Sequence, residues 1–244
     1  MSIWTDTGKF LSTFAADAFS TVVENIRTYF EGNAETRKRV SFSVALIALS
    51  AKMAKADGVV TPDEVVAFQE IFSVPPREFE NVSRLFNLAK QDVAGFDIYG
   101  AQVRSLFPHD APDDKEILQD VIDALFHIAK ADGVIHENEL LFLEEIAVVF
   151  GFNAVEFERC KMRHLEQGDT DPYFVLGADP SWNFLKLKAH YRKKVLESHP
   201  DKLIARGVPK EFIIVATNRL AALNGAWEAI QAIHGPSKNL AVVE

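Results

Sequence analysis

The feature that most constrains this chain of 244 residues is an internal duplication. Ala54, Lys55, Ala56, Asp57, Gly58 and Val59 return in the same order as Ala129, Lys130, Ala131, Asp132, Gly133 and Val134, so that Asp132 stands 75 positions after Asp57. The likeness extends beyond the six letters. Ile47, Val65, Phe68 and Ile71 fall opposite Ile122, Leu140, Leu143 and Ile146, and Glu64 falls opposite Glu139. One hydrophobic pattern used twice is one supersecondary unit used twice. Each copy reads as helix, tight turn, helix, with Gly58 and Gly133 supplying the left-handed residue that ends the first helix. Thr61, Pro62 and Glu64 then make a favourable helix start: a hydroxyl cap, a first-turn proline and a carboxylate three residues in. His136, Glu137, Asn138 and Glu139 form a weaker cap of the same acidic character.

Asp57, Glu64, Asp132 and Glu139 place carboxylates at both turns, and clustered oxygens are what a hard divalent cation needs. The spacing lacks the dense alternation of a calcium loop, and capping accounts for most of these acids, so capping is the preferred reading.

Toward the carboxyl end the pattern changes. Phe184, Leu187, Tyr191 and Val195 recur at helical spacing, while Lys186, Lys188, Arg192, Lys193 and Lys194 fill much of the remaining circumference. That helix ends near Ser198, just before His199, Pro200 and Asp201. Upstream, Asp171 and Pro172 start a short helix that Gly177 closes. Downstream, Gly207 and Pro209 punctuate the chain. Phe212, Val215, Ala216, Leu220, Leu223, Trp227 and Ile230 then mark a long helix, antiparallel to the basic one across an exposed turn.

Residues 171–235 resemble a J-domain on Asp171, Pro172, Tyr173, Leu176, Gly177, Tyr191, Arg192, Lys193, His199, Pro200, Asp201 and Lys202. Asp201 to Gly207, continuing into Pro209 and Phe212, look more specifically like the DjlA branch, in which a J-domain follows a TerB-like front half. The duplicated region resembles that TerB-like helical domain, a family linked with stress and tellurite resistance. Two positions depart from the J-domain pattern: Lys194 replaces an apolar residue and Trp227 a tyrosine. The packing of the second helix on the third is therefore expected to differ locally.

The resemblance implies a DnaK-type chaperone as partner. His199, Pro200, Asp201, Tyr191, Arg192, Lys193, Lys188 and Lys202 would be its docking residues, and the ATP hydrolysis would belong to the partner. Charge agrees with such a role. The chain is formally −9, yet residues 171–235 carry nine Lys or Arg against six acids, which leaves −12 on the rest. A basic appendage on an acidic body can steer encounter with an acidic surface. The acidic total, without interleaved surface aromatics or a reading motif, argues against nucleic acid.

Residues 3–30 are amphipathic and rich in aromatics. Three readings compete, in this order: a helix folded on the core, a self-association surface that makes a homodimer, and an interfacial membrane anchor. The longest apolar run, Val40 to Ala51, is interrupted by Ser41, Ser43 and Ser50 and falls short of the ~20 residues that cross a bilayer. No membrane span is expected. Cys160 is the only cysteine, which excludes an internal disulfide and fits a reducing cytoplasm. With no nucleophile elbow, phosphate loop or dinucleotide fingerprint, neither an enzyme nor a cofactor is expected. Cys160 is read as packed, and His127 and His164 as lying on helix faces.

The expected architecture is all-α: a leader at 1–35, a TerB-like bundle of duplicated helix-turn-helix units at 36–168, a J-domain hairpin at 171–235 and a tail at 236–244. The expected function is a co-chaperone whose body selects a client protein. The alternative is a stress-related scaffold or divalent-metal sensor with the J-like segment as a passive interaction module.

Overall fold

The computed structural model describes residues 3–13, 18–57, 74–91, 95–107, 114–131, 133–164 and 170–234. Among these residues all regular structure is helical. The leader forms α1 (Ile3–Thr13) and α2 (Phe19–Tyr29), and the body begins with α3 (Ala34–Asp57). After a 3-10 turn at Pro76–Glu78 come α4 (Phe79–Gln91), α5 (Phe96–Arg104), α6 (Asp114–Ala129), α7 (Glu137–Val149) and α8 (Ala154–His164). The carboxyl-terminal part contains α9 (Pro172–Leu176), α10 (Phe184–Glu197), α11 (Pro200–Arg206), a 3-10 turn at Lys210–Phe212 and α12 (Ile213–His234).

The central rod is α3, against which α1, α2, α4, α5, α6 and α7 pack. Val40, Phe42 and the run from Val44 to Leu49 are buried, so this stretch of the helix is covered all round, as an evenly apolar stretch must be. Two of the three serines that interrupt this run bond back to the helix itself. Ser43 Oγ donates to Arg39 O at 3.1 Å and Ser50 Oγ to Leu46 O at 2.7 Å, each returning to its own backbone. No helix among the described residues is long and apolar enough to cross a membrane.

The leader folds onto this core. Ile3, Trp4, Phe10, Leu11, Phe19, Val22, Val23 and Ile26 are all buried, and Phe19 stacks on Tyr99 with centroids 4.5 Å apart. This matches the first of the three readings; Tyr29 stays 43% exposed, and Phe14 lies outside the described residues.

The second copy of the repeat shows the anticipated geometry. α6 gives way to Gly133, whose φ of 91° is left-handed, and α7 starts after His136. The turn of the first copy, including Gly58, Thr61 and Pro62, lies outside the described residues.

In the carboxyl-terminal hairpin a small core of Leu176, Leu187, Leu223, Trp227 and Ile230 joins α9, α10 and α12. Trp227 lies between Tyr191 (4.8 Å, 9°) and Phe184 (5.5 Å, 24°) in a three-ring stack. Lys194 turns outward to Glu197 Oε2 at 3.0 Å. Both departures thus find a local solution, one by stacking and one by pairing with a carboxylate. The amino-terminal half of α12 belongs to the main core instead, through Val215 and Ala216, and Phe212 meets Phe42 of α3 edge-on at 5.0 Å. One helix therefore serves both cores, which fixes the hairpin on the body.

Candidate functional site

The basic helix α10 is set by Asn183, whose Oδ1 accepts the Lys186 N–H at 2.9 Å. Lys188, Arg192 and Lys193 stand exposed along it, with Lys193 Nζ 3.7 Å from Glu197 one turn on. The helix ends at Glu197 with Ser198 as its cap, and the chain turns directly into α11.

His199 is the N-cap of α11, Pro200 occupies the first turn and Asp201 lies beside the positive helix end. His199 Nδ1 accepts the Asp201 N–H at 3.2 Å. In the neutral ring this places the proton on Nε2, which is left to donate outward. The side chains of His199 and Asp201 are 51% and 87% exposed, with Nδ1 3.6 Å from Oδ2. Lys202 is exposed beside them. Tyr191 is placed differently: half-buried, it stacks on Trp227 and donates to Asn224 Oδ1 at 2.9 Å, so it holds the hairpin together.

The corner is exposed but its base is anchored. Ser198 and Leu203 are buried, and Gly207 closes α11 with φ of 100°. A Cβ at Gly207 would lie 2.6 Å from Lys38 Cβ, so only glycine lets α11 end this close to α3. Arg206 Nη1 donates to Glu197 O at 3.1 Å, tying the end of α11 to the end of α10.

Arg206 also enters a buried charge junction that sequence reasoning missed. Asp120 and Asp123, one turn apart on α6, are fully buried. Arg206 Nη2 lies 3.0 Å from Asp120 Oδ2, and Arg219 Nη2 of α12 lies 2.7 Å from Asp120 Oδ1. Arg219 reaches Asp123 as well, with Nε donating to Oδ2 at 2.7 Å. On the other side, α8 supplies Arg163 Nη2 at 3.3 Å, His164 Nε2 at 2.8 Å and Cys160 Sγ at 2.9 Å, all to Asp123 Oδ1.

Burial by itself would raise the Asp123 carboxyl. The guanidiniums of Arg219 and Arg163 and the hydrogen bond from His164 outweigh it and hold the group well below the usual carboxylate range. Burial, reinforced by the Asp123 charge, pushes the Cys160 thiol well above its ordinary value. A thiol that stays protonated is no nucleophile.

Asp123, Cys160 and His164 bring three metal-ligand types within 4.8 Å of one another. They do not suit a cation, because the carboxylate already balances two guanidiniums and an added divalent charge would be repelled by both. Of the four carboxylates weighed for a metal, Glu139 is buried and its Oε2 accepts the His136 N–H at 2.9 Å, which is a capping role. The Asp57 side chain, Glu64 and Asp132 lie outside the described residues.

Residues 43–162 match the family model of the tellurite resistance protein TerB. Over 229 residues the chain is 29% identical to the co-chaperone protein DjlA of Photobacterium profundum, covering 83% of this chain and 81% of that protein. It is 25% identical over 237 residues to the DjlA of Vibrio parahaemolyticus, covering 84% and 82%. With the DjlA of Escherichia coli it shares 27% over 143 residues, 49% of this chain and 53% of that one. No solved structure matches the chain. An all-α body with a TerB-like domain, continued by a hairpin that ends in a His-Pro-Asp corner, defines the class. Within it, the chain is DjlA-like: it is similar to DjlA co-chaperone proteins over most of its length and carries a TerB-like domain.

Proposed function

We propose that this chain is a J-domain co-chaperone that docks on a DnaK-type chaperone through His199, Pro200 and Asp201 and stimulates its ATP hydrolysis. The exposed, capped corner carries the reading: a donor at His199 Nε2 and an acceptor at Asp201 are presented outward from a base that is buried. Groups held this way meet a partner without the ordering cost that a loose loop would incur. Lys188, Arg192, Lys193 and Lys202 supply the positive flank that draws in an acidic surface. The chain contributes no reacting group; binding biases the partner toward its hydrolysing state. The acidic TerB-like body would select the client. Affinity for the ATP-loaded chaperone, measured with wild type and Asp201→Asn, tests the reading. A loss of at least about tenfold is expected for a charge-assisted contact at a docking centre, and equal affinities would overturn it.

A further inference from the structure

The outer face of α7 does not behave as a solvent face. Glu139, Phe142, Leu143, Ile146 and Ala147 point into the core, as one side of an amphipathic helix should. The opposite side nonetheless carries Leu141 at 52% exposure and Val148 at 66%. A helix apolar on both sides is normally covered on both. The two residues lie seven apart, two turns or about 10 Å along the helix. Beside them runs a groove of about 430 Å³, floored by Phe96 and Val149. Its shape comes from the close approach of α5 and α7: a Cβ at Gly100 would stand 3.1 Å from Ile146 and 3.2 Å from Val149, and Phe96 sits edge-on to Phe142 at 5.0 Å.

The charge around this groove has one sign. Asp97, Glu144 and Glu145 line it, no Lys or Arg does, and none of the three carboxylates makes an ion pair among the described residues. Apolar contacts two turns apart, with carboxylates between and beside them, are complementary to one kind of segment. Its apolar side chains recur at helical spacing and its flanks carry Lys or Arg.

We infer that the α5–α7 groove is a docking site for a cationic amphipathic helix of a partner protein. The inference deepens the co-chaperone reading by giving the body a surface on which to hold a second protein. It is tested without the DnaK-type chaperone, so its failure leaves the corner untouched. The probe is a fluorescent 14-residue helical peptide with leucines at i, i+3, i+7 and i+10 and lysines on the flanks. Its controls are a scrambled peptide of the same composition and a counterpart with glutamate for each lysine.

Anisotropy titration of the full chain should show binding of the cationic helix that weakens as salt rises, and at least about tenfold weaker binding of both controls. Leu141→Ser with Val148→Ser, both at exposed positions, should cost a similar factor. Glu144→Gln with Glu145→Gln should flatten the salt dependence. Equal binding of the scrambled peptide, or unchanged affinity in the serine variant, would overturn the proposal. So would a concentration-dependent dimer in light scattering that the serine variant abolishes, since the occupant would then be a second copy.

Discussion

α11 is seven residues long and its two ends live in different media. At its start His199 and Asp201 stand in water, while at its end Arg206 is sealed against Asp120. Both ends carry charge, but their physics is opposite. An exposed charge costs little to hold and is free to meet a partner. A buried charge is tolerable only while its counter-charge is present, because removing one partner strands the other. The comparison separates exposure from anchorage within one short helix: the corner is open to the partner proposed for it, and the junction keeps it in one place relative to the body.

The largest effect should come from breaking the junction. Asp123→Asn leaves Arg219 and Arg163 without their shared carboxylate and is expected to destabilise the chain by about 3–5 kcal/mol in denaturant titration. A loss below about 1 kcal/mol would mean that the junction behaves as a surface pair and would dissolve the contrast.

The same junction predicts pH limits on both sides. The folded Asp123 carboxyl is held below its ordinary value, so its contribution is present above the unfolded carboxyl pKa of about 4 and is lost as pH falls below that. The folded Cys160 thiol is raised, so its contribution is complete below the unfolded thiol pKa of about 8.5 and is lost as pH rises past it. Thermal melts from pH 3 to 10 should fall at both ends, and Cys160→Ala should remove the alkaline fall alone. An alkaline limb that persists unchanged in Cys160→Ala would contradict this assignment.

At the exposed end stability should barely respond. His199→Gln loses one capping hydrogen bond, worth at most about 1 kcal/mol, so its melting curve should nearly overlay that of wild type. Smallest of all in its effect on stability should be the charge reversal Lys188→Glu with Lys193→Glu. It is expected to weaken chaperone binding roughly threefold to tenfold at low ionic strength and to flatten the salt dependence, with the fold intact. Unchanged low-salt affinity would remove charge steering from the account.

Much of this arrangement was legible in the sequence, for identifiable reasons. Helical spacing announced α10 and α12, Gly133 announced the turn of the second repeat, and Asp171 and Gly177 marked ends where local chemistry decides the structure. α11 was less visible. Pro200 at the first helical position, an acid in the first turn and Gly207 just beyond the end are its signals, but seven residues leave too short a pattern for periodicity to show.

The junction was not legible. Asp120 and Asp123 interrupt an apolar helix and Arg219 interrupts another, which marks each as anomalous, but periodicity tells which face is buried and not which face it meets. Arg206 and Asp120 are 86 positions apart, and Arg219 and Asp123 are 96. His164 shows the same limit. It had no partner nearby in sequence, yet its partner Asp123, 41 positions away, lies 2.8 Å from it in the fold. The leader sat between these cases: its amphipathic face was plain, and only the packing of Trp4, Phe10 and Phe19 showed what covers it.

The most direct measurement is single-turnover ATP hydrolysis by a DnaK-type chaperone, with the full chain in excess. Wild type should raise the hydrolysis rate and His199→Gln should leave it at the basal value while melting almost as wild type does. Equal rates with wild type, with His199→Gln and with no added chain would contradict the claim that this corner drives the partner's cycle.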